Sequence, residues 1–273
     1  MTPEQETRHF IATGEHDMLH AAWPGRGHLD RMRTGDSALR AAVIEEVRQR
    51  TKGRDLPSLP HGFQAEPFVI GKVGSMVRGL FPAKERQAVL DLFKLSLVFV
   101  THDKIEQIVT ESHGLSTAWQ VANLYLGNLG LPGLDEQPVG FVGFSEETTL
   151  FVSTAYFKDS DPFADWVVHE AAHVFHNWKR DRSGLPHTRT KEFLLEIAYA
   201  KRELFAYACE AYARILERAE GPADRRRLHT EYAAEWVPTR DRDDRVELVD
   251  ILAEAVTARN GWKRILGRCG PTG

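Results

Sequence analysis

This sequence has few cysteines, no long apolar run and no large excess of one charge, and each of these features excludes a class of protein. Two cysteines, Cys209 and Cys269, are too few for a disulfide framework and lack the spacing of a metal site. The formal net charge of −4 gives no reason to expect a nucleic acid as a partner. The most apolar segment, 95–100, is far too short to span a bilayer, and the polar N-terminus lacks the apolar stretch of a signal peptide. We therefore expect a cytoplasmic protein with reduced thiols and no membrane partner.

The length and composition are those of a globular chain with a sizeable core. The 273 residues include 42% hydrophobic and 27% charged residues, which is enough for one large domain with a smaller appendage. Proline and glycine cluster in 51–62, which makes this segment the best candidate for a boundary. We predict an N-terminal helical extension at 1–62 and a main domain at 63–273. The oligomeric state does not follow from the sequence.

The segment 166–177 contains the pattern H-E-x-x-H, formed by His169, Glu170 and His173. It lacks internal glycine and proline, and Asp161-Pro162 upstream predicts a cap and a first-turn proline for a helix. Residues four apart share one face of a helix, so the two histidines can offer imidazole nitrogens to a single metal ion. Glu170 is the candidate general base, since it can take a proton from a metal-bound water.

Catalytic zinc usually has three protein ligands, and a third candidate lies downstream. The segment 191–220 predicts one long helix that carries Glu196, Glu203 and Glu210, each seven residues from the next on a shared face. The loop after Asn177 would let this helix turn back and pack beside the first. One of the three acids facing the metal is plausible, whereas all three as ligands is not.

Two neighbouring helices that supply His, His and Glu resemble the gluzincin group of zinc metallopeptidases. In some members the third ligand lies in an E-x-x-A-like segment, which Glu203 and Ala206 match here. The resemblance covers about residues 148–214 and indicates no closer family. It implies zinc as the cofactor, a peptide or protein as the substrate, and His169, His173 and Glu203 as the zinc ligands. Among the three acids it therefore favours Glu203, with Glu210 as the alternative.

Other polar side chains near the motif are candidates for supporting roles. Glu210 is expected to accept the free N–H of a metal-bound histidine. His176 shares the face of the motif histidines, but three histidines over seven residues span about 10 Å along the helix axis, too far for bonds of about 2 Å. It is therefore expected to support a ligand or to cap the helix. Tyr207, Tyr199 and His187 are alternative donors to the oxyanion that develops on a carbonyl, and the choice between them stays open.

Hydrophobic spacing predicts a mainly helical α+β fold, with a small antiparallel or mixed sheet before the metal helix. The two clearest strands are 139–144 and 148–156, with a turn at 145–147. The resemblance implies that an edge strand binds extended substrate, and 148–153 is either that strand or part of an ordinary core hairpin. Further segments are predicted as helices at 36–50, 82–100, 101–108, 116–126 and 244–259, as a glycine-containing loop or packing segment at 68–81, and as solvated charged faces at 224–227 and 240–245.

Three functions fit these features. The first is a zinc metallopeptidase of zincin-like fold. The second is a non-catalytic or regulatory binding protein whose metal site is structural, and the third is a zinc hydrolase of non-peptide amides or esters. A closed four-ligand site would favour the second, and a substrate edge strand beside the metal would count against the third.

Overall fold

The computed structural model describes residues 1–189, 191–234 and 242–271, and within these ranges the fold is mainly helical with one small sheet, which confirms the predicted α+β class. The described helices are α1 (Pro3–Thr13), α2 (His28–Thr51), α3 (Ala65–Leu80), α4 (Ala83–Lys94), α5 (Ile105–Glu111), α6 (Leu115–Asn128), α7 (Trp166–Asn177), α8 (Arg202–Arg218), α9 (Pro222–Ala234), α10 (Arg242–Thr257) and α11 (Gly261–Cys269). The strands are β1 (Leu97–Val100), β2 (Gly143–Glu146) and β3 (Thr149–Ser153). None of the described helices is long and apolar enough to cross a membrane.

The chain divides into two compact units, and neither is continuous in sequence. One unit comprises Met1–Phe63, Phe99–Gly143 and Phe151–Lys158. The other comprises Gln64–Val98, Phe144–Leu150 and Asp159–Gly273. The predicted boundary at residue 62, between an N-terminal helical extension and the main domain, stays a prediction. Of the predicted charged face at 240–245, Arg240 and Asp241 lie outside the described residues.

In the first unit, the amphipathic face of α2 provides much of the core. Leu39, Val43 and Val47 lie four residues apart and are buried, as their spacing predicts, and α2 packs against α1, α5 and α6. The buried Arg40 guanidinium is satisfied by Asp36 at 2.8 Å and by the Val109 carbonyl. This pairing links α2 to α5 without leaving an isolated charge inside the unit.

In the second unit, the segment 68–81 was predicted to be a glycine-containing loop or packing segment. The structure corrects this prediction, because most of the segment belongs to the helix α3. The helix forms because Val69, Val73 and Val77 repeat every four residues and become buried, which outweighs the low helix propensity of its glycines. α3 packs against α4, α7, α8 and α11. At Gly79 the absence of a side chain lets the Trp262 indole of α11 lie directly against the helix backbone.

The sheet differs from the prediction in two places. The helix expected over 82–100 ends at Lys94, and the β-branched and aromatic residues of Leu97–Val100 form β1 instead. A turn separates the two elements, in which the Ser96 amide donates to the Phe93 carbonyl. β2 begins at Gly143, later than the predicted strand at 139–144, and the turn is made at Glu147, which has φ of 50°.

The strand order is β1-β3-β2, so β3 lies in the middle of the sheet. The proposal that 148–153 forms a substrate-binding edge strand is therefore wrong. β2 is an edge strand instead, because it has β3 as its neighbour and follows it in the sheet order.

The long helix predicted at 191–220 is also wrong in its first third, because α8 begins only at Arg202. The preceding segment instead forms backbone hydrogen bonds with residues at the end of α7. The Leu194 amide donates to the Trp178 carbonyl at 2.9 Å, and the Leu195 amide to the Phe175 carbonyl at 2.8 Å. Both leucines are buried, so tertiary pairing and burial outweigh local helix propensity here.

We expect Gly79→Ala to lower the free energy of unfolding by about 1–3 kcal/mol, since its Cβ would lie 2.1 Å from the Trp262 ring. Gly71→Ala is the matched control on the same helix, because a Cβ there meets nothing within 4 Å. Alanine at that position should stabilise the protein by about 0.5–1 kcal/mol. Urea unfolding of both variants measures the difference. Equal effects at the two glycines would contradict the close packing of α3 on α11.

Candidate metal centre

α7 carries the H-E-x-x-H pattern, and its start is held by Asp165. The Asp165 carboxylate accepts the Val168 amide at 3.3 Å, and Lys72 of α3 lies 2.7 Å from the other carboxylate oxygen. The predicted cap at Asp161-Pro162 is wrong, because the helix begins four residues later, at Trp166. Asp161 instead accepts the Phe163 amide in the preceding turn. The buried Asp165 therefore sets both the start and the direction of the motif helix.

α7 and α8 pack side by side, and this brings the three predicted ligands together. Nε2 of His169 and Nε2 of His173 lie 3.2 Å apart. The Glu203 carboxylate faces both rings, at 3.8 Å from Nε2 of His169 and 3.7 Å from Nε2 of His173. One donor atom from each residue lies within 4.8 Å of the others, so the group can hold a metal ion.

The spacing of these donor atoms fits a small cation. A tetrahedral ion with bonds of about 2.0–2.1 Å places its ligand atoms roughly 3.3 Å apart, which is within a few tenths of an ångström of the distances here. In the part of the chain that the structure describes, the group has three members and no fourth. The side chains of His169 and His173 are 6% and 14% exposed, whereas that of Glu203 is 72% exposed. The group is therefore open to solvent on the side of Glu203.

Glu210 contacts His169 at Nδ1, the ring nitrogen that does not face Glu203. One carboxylate oxygen lies 3.1 Å from Nδ1 of His169, and the other accepts the Asp165 amide at 2.7 Å. Burial disfavours a charged His169 ring, but the hydrogen bond and charge of Glu210, together with the charges of Glu170 and Glu203, outweigh it and raise the pKa of His169. Because the carboxylate accepts the proton of Nδ1, the Nε2 lone pair is left facing Glu203. This is the contact expected for Glu210 as a supporting residue.

His176 contacts His173 at Nδ1, as Glu210 contacts His169. Its Nε2 lies 3.3 Å from Nδ1 of His173, so the Nδ1–H of His173 can donate to it while Nε2 faces the other ligands. Burial is the main cause that lowers the pKa of His173 to about 3 and that of His176 to about 4. Both rings are consequently neutral at pH 7, which is the form that binds metals.

The aromatic candidates take different positions. Tyr207 packs edge-on against His169, with ring centroids 4.7 Å apart. Tyr199 precedes α8 and is 86% exposed. His187 is exposed in the loop between α7 and α8. Only Tyr207 among the three is in ring contact with a ligand, and the choice of an oxyanion donor stays a prediction.

Glu170 is buried beside the ligands, and Ser145 of β2 lies close enough to influence its carboxyl. Burial raises the pKa of the Glu170 carboxyl, and the charge of His169 and the nearby Ser145 side chain offset part of that rise. The edge strand of the sheet therefore lies near the acid of the motif. Ser145 was predicted only as part of a turn, since nothing in the sequence indicates which residue would face Glu170.

Sequence reasoning also missed the polar chain behind the ligands. Lys72 lies between Asp165, at 2.7 Å, and Glu217, at 3.0 Å. Asp165 in turn joins Lys72 to Glu210 and thereby to His169. For Asp165 the sequence does contain a signal, because an aspartate directly before Trp166 is a typical helix cap. Lys72 had no such signal, because it lies on a distant helix.

Glu210→Gln should weaken metal binding by about 10–100-fold, because an amide is a poorer acceptor for the Nδ1–H of His169. Glu220→Gln is the control, since that exposed carboxylate lies beyond the end of α8. Competition with a chromophoric chelator for Co²⁺ or Zn²⁺ gives both affinities. Unchanged affinity in the Glu210 variant would show that this carboxylate does not orient a ligand.

Comparisons of the chain with protein-family models, curated proteins and solved structures found no match. The resemblance to gluzincins therefore stays a prediction that depends on the site residues alone.

Proposed function

We propose that this chain is a zinc-dependent hydrolase of peptide bonds. The observation that carries the proposal is the group of His169, His173 and Glu203, open to solvent on one side, with the buried acid Glu170 beside it. Three protein ligands and one open position are typical of catalytic zinc, whereas structural zinc is usually closed by four ligands. The open side thus favours an enzyme over a binding protein with a structural site.

The donor set supports zinc among the common biological cations. Two imidazole nitrogens and one carboxylate are typical of catalytic zinc sites. Ca²⁺ and Mg²⁺ prefer oxygen ligands in larger number, and this group has only one carboxylate. Zinc bound by these side chains would supply a Lewis acid that polarises a carbonyl and acidifies a water molecule.

Glu170 is proposed as the general base. It would accept a proton from the attacking water and then donate that proton to the nitrogen of the leaving amine, as the carbon–oxygen bond forms and the carbon–nitrogen bond breaks. Burial raises the pKa of its carboxyl, which suits a group that must both take and give a proton near neutral pH.

The edge strand supports a peptide as the substrate rather than another amide or an ester. β2 lies at the edge of the sheet, and its Ser145 lies near Glu170. An extended peptide that pairs with this strand would pass close to the acid and the ligands. We further propose a cytoplasmic location, which is supported by Cys209 and Cys269 as free, buried thiols.

Glu170→Gln should lower kcat for peptide hydrolysis by about 10²–10⁴-fold, because the amide cannot accept the proton of the water. The variant should still bind one zinc ion per chain, since Glu170 is not among the three ligands. Hydrolysis of an internally quenched peptide library by zinc-loaded protein measures the first effect, and atomic absorption measures the second. Full activity in this variant would exclude Glu170 as the base.

Glu203→Ala should weaken zinc binding and abolish hydrolysis together, because it removes one of three ligands. Chelator treatment of the unaltered protein should reproduce the loss, and added zinc should restore activity only in the unaltered protein. Glu196→Ala is the matched control, because its carboxylate binds the amides of Glu192 and Phe193 instead. Hydrolysis that survives complete metal removal would contradict the proposal.

A further inference from the structure

Arg202 is a partly buried arginine beside the candidate metal centre. It is the first residue of α8 and directly precedes Glu203. Its guanidinium lies over the Tyr199 ring, 5.2 Å from the centroid. Its Nε is buried and has no hydrogen-bond partner among the described residues, and no described carboxylate forms an ion pair with it.

The two arginines that are buried as whole residues in the described chain, Arg40 and Arg180, have acceptors. Arg180 pairs with Glu85 at 2.8 Å and also donates to the Leu194 carbonyl at 3.2 Å. Arg40 pairs with Asp36 and with a backbone carbonyl. Leaving a partly buried guanidinium without acceptors costs free energy, because its donors lose water and gain no partner. Arg202 therefore keeps donors that are available to an acceptor from outside the chain.

The position of Arg202 places these donors beside the candidate metal centre. Arg202 directly precedes Glu203, whose carboxylate lies 3.7 Å from Nε2 of His173. Tyr199, on which it packs, is 86% exposed, and the neighbouring Glu203 is open to solvent. The guanidinium thus lies at the side of the centre that an incoming substrate would reach.

We propose that Arg202 binds a carboxylate of the substrate, so that the centre prefers peptides with a negative charge close to the bond that is cleaved. The inference rests on the proposed hydrolase function and adds a specificity-determining residue to it. A guanidinium presents its N–H groups as a planar fork that matches a carboxylate, and an aromatic ring on its face leaves the edges free for this contact. Either the C-terminal carboxylate of a peptide or an aspartate or glutamate side chain can supply the ligand.

Peptides that differ only in charge test the inference and separate the two sources. Four versions of one cleaved sequence are compared with zinc-loaded protein: a free or an amidated C-terminus, each with an internal Asp or Asn beside the scissile bond. In Arg202→Gln we expect KM to rise by about 10–100-fold for the peptides that carry the recognised carboxylate, with little change for those that lack it. Arg202→Lys should restore part of the loss, since it keeps the charge and lacks the fork.

Binding without turnover provides a second readout. Zinc-loaded protein is titrated calorimetrically with succinate, which has two carboxylates, and with acetate, which has one. Arg202→Gln should weaken succinate binding by a similar factor and leave acetate binding unchanged. Arg264→Gln is the control variant, because that exposed arginine lies on α11.

The outcomes distinguish this inference from the proposed function. The role of Arg202 would be overturned if all four peptides were hydrolysed with equal KM, or if Arg202→Gln raised KM equally for all four. Either result would leave the hydrolase proposal intact. Absence of any peptide hydrolysis, together with succinate binding that depends on Arg202, would overturn the hydrolase proposal and retain the carboxylate site. Loss of succinate binding in both Arg202→Gln and Arg264→Gln would show a nonspecific effect of charge and would also overturn the inference.

Discussion

The arrangement of the centre depends on one buried carboxylate, that of Glu210. It accepts the Asp165 amide at the start of α7 and lies 3.1 Å from Nδ1 of His169, so a single side chain fixes both the end of a helix and the tautomer of a ligand. Burying a carboxylate costs several kcal/mol unless hydrogen bonds and nearby cations offset the lost hydration. Here two hydrogen bonds act on Glu210, and Lys72 balances the adjacent Asp165. Because Glu203 lies two turns before Glu210 on the same face of α8, fixing Glu210 also directs Glu203 toward the histidines.

Electrostatics explains why this arrangement favours a cation. The carboxylates of Glu170, Glu203 and Glu210 surround two imidazoles, of which His173 has its pKa lowered to about 3 chiefly by burial. The His173 ring therefore offers a lone pair instead of positive charge, and the acids supply a negative field that a divalent ion would neutralise. Arg202 directly precedes Glu203 and has no carboxylate partner among the described residues, so it adds an unpaired positive charge next to this group. In our proposal, a metal and an anionic substrate group would therefore be bound by different, neighbouring residues.

Local pattern predicted which side chains come together at the centre, whereas tertiary contacts decided what it missed. Four-residue spacing was sufficient to place His169 and His173 on one face, and seven-residue spacing placed Glu203 and Glu210 on one stripe of a later helix. The start of that helix was misplaced because the Leu194 and Leu195 amides pair with the end of α7, a contact between segments that no propensity describes. The proximity of Ser145 to Glu170 and the contact of Lys72 with Asp165 likewise join distant parts of the chain. The glycines of α3 led to the prediction of a loop or packing segment, whereas burial of its valines stabilises a helix there.

The central claim is that His169, His173 and Glu203 bind one zinc ion and leave a position open. X-ray absorption at the zinc edge, on protein loaded with one equivalent of zinc, tests it most directly. The account predicts two imidazole nitrogens at about 2.0–2.1 Å and oxygen ligands at about 2.0–2.2 Å, of which one is exchangeable and is replaced when an anionic inhibitor is added. A shell that contains sulfur at about 2.3 Å, a shell that no added ligand alters, or failure to retain zinc at all would contradict it.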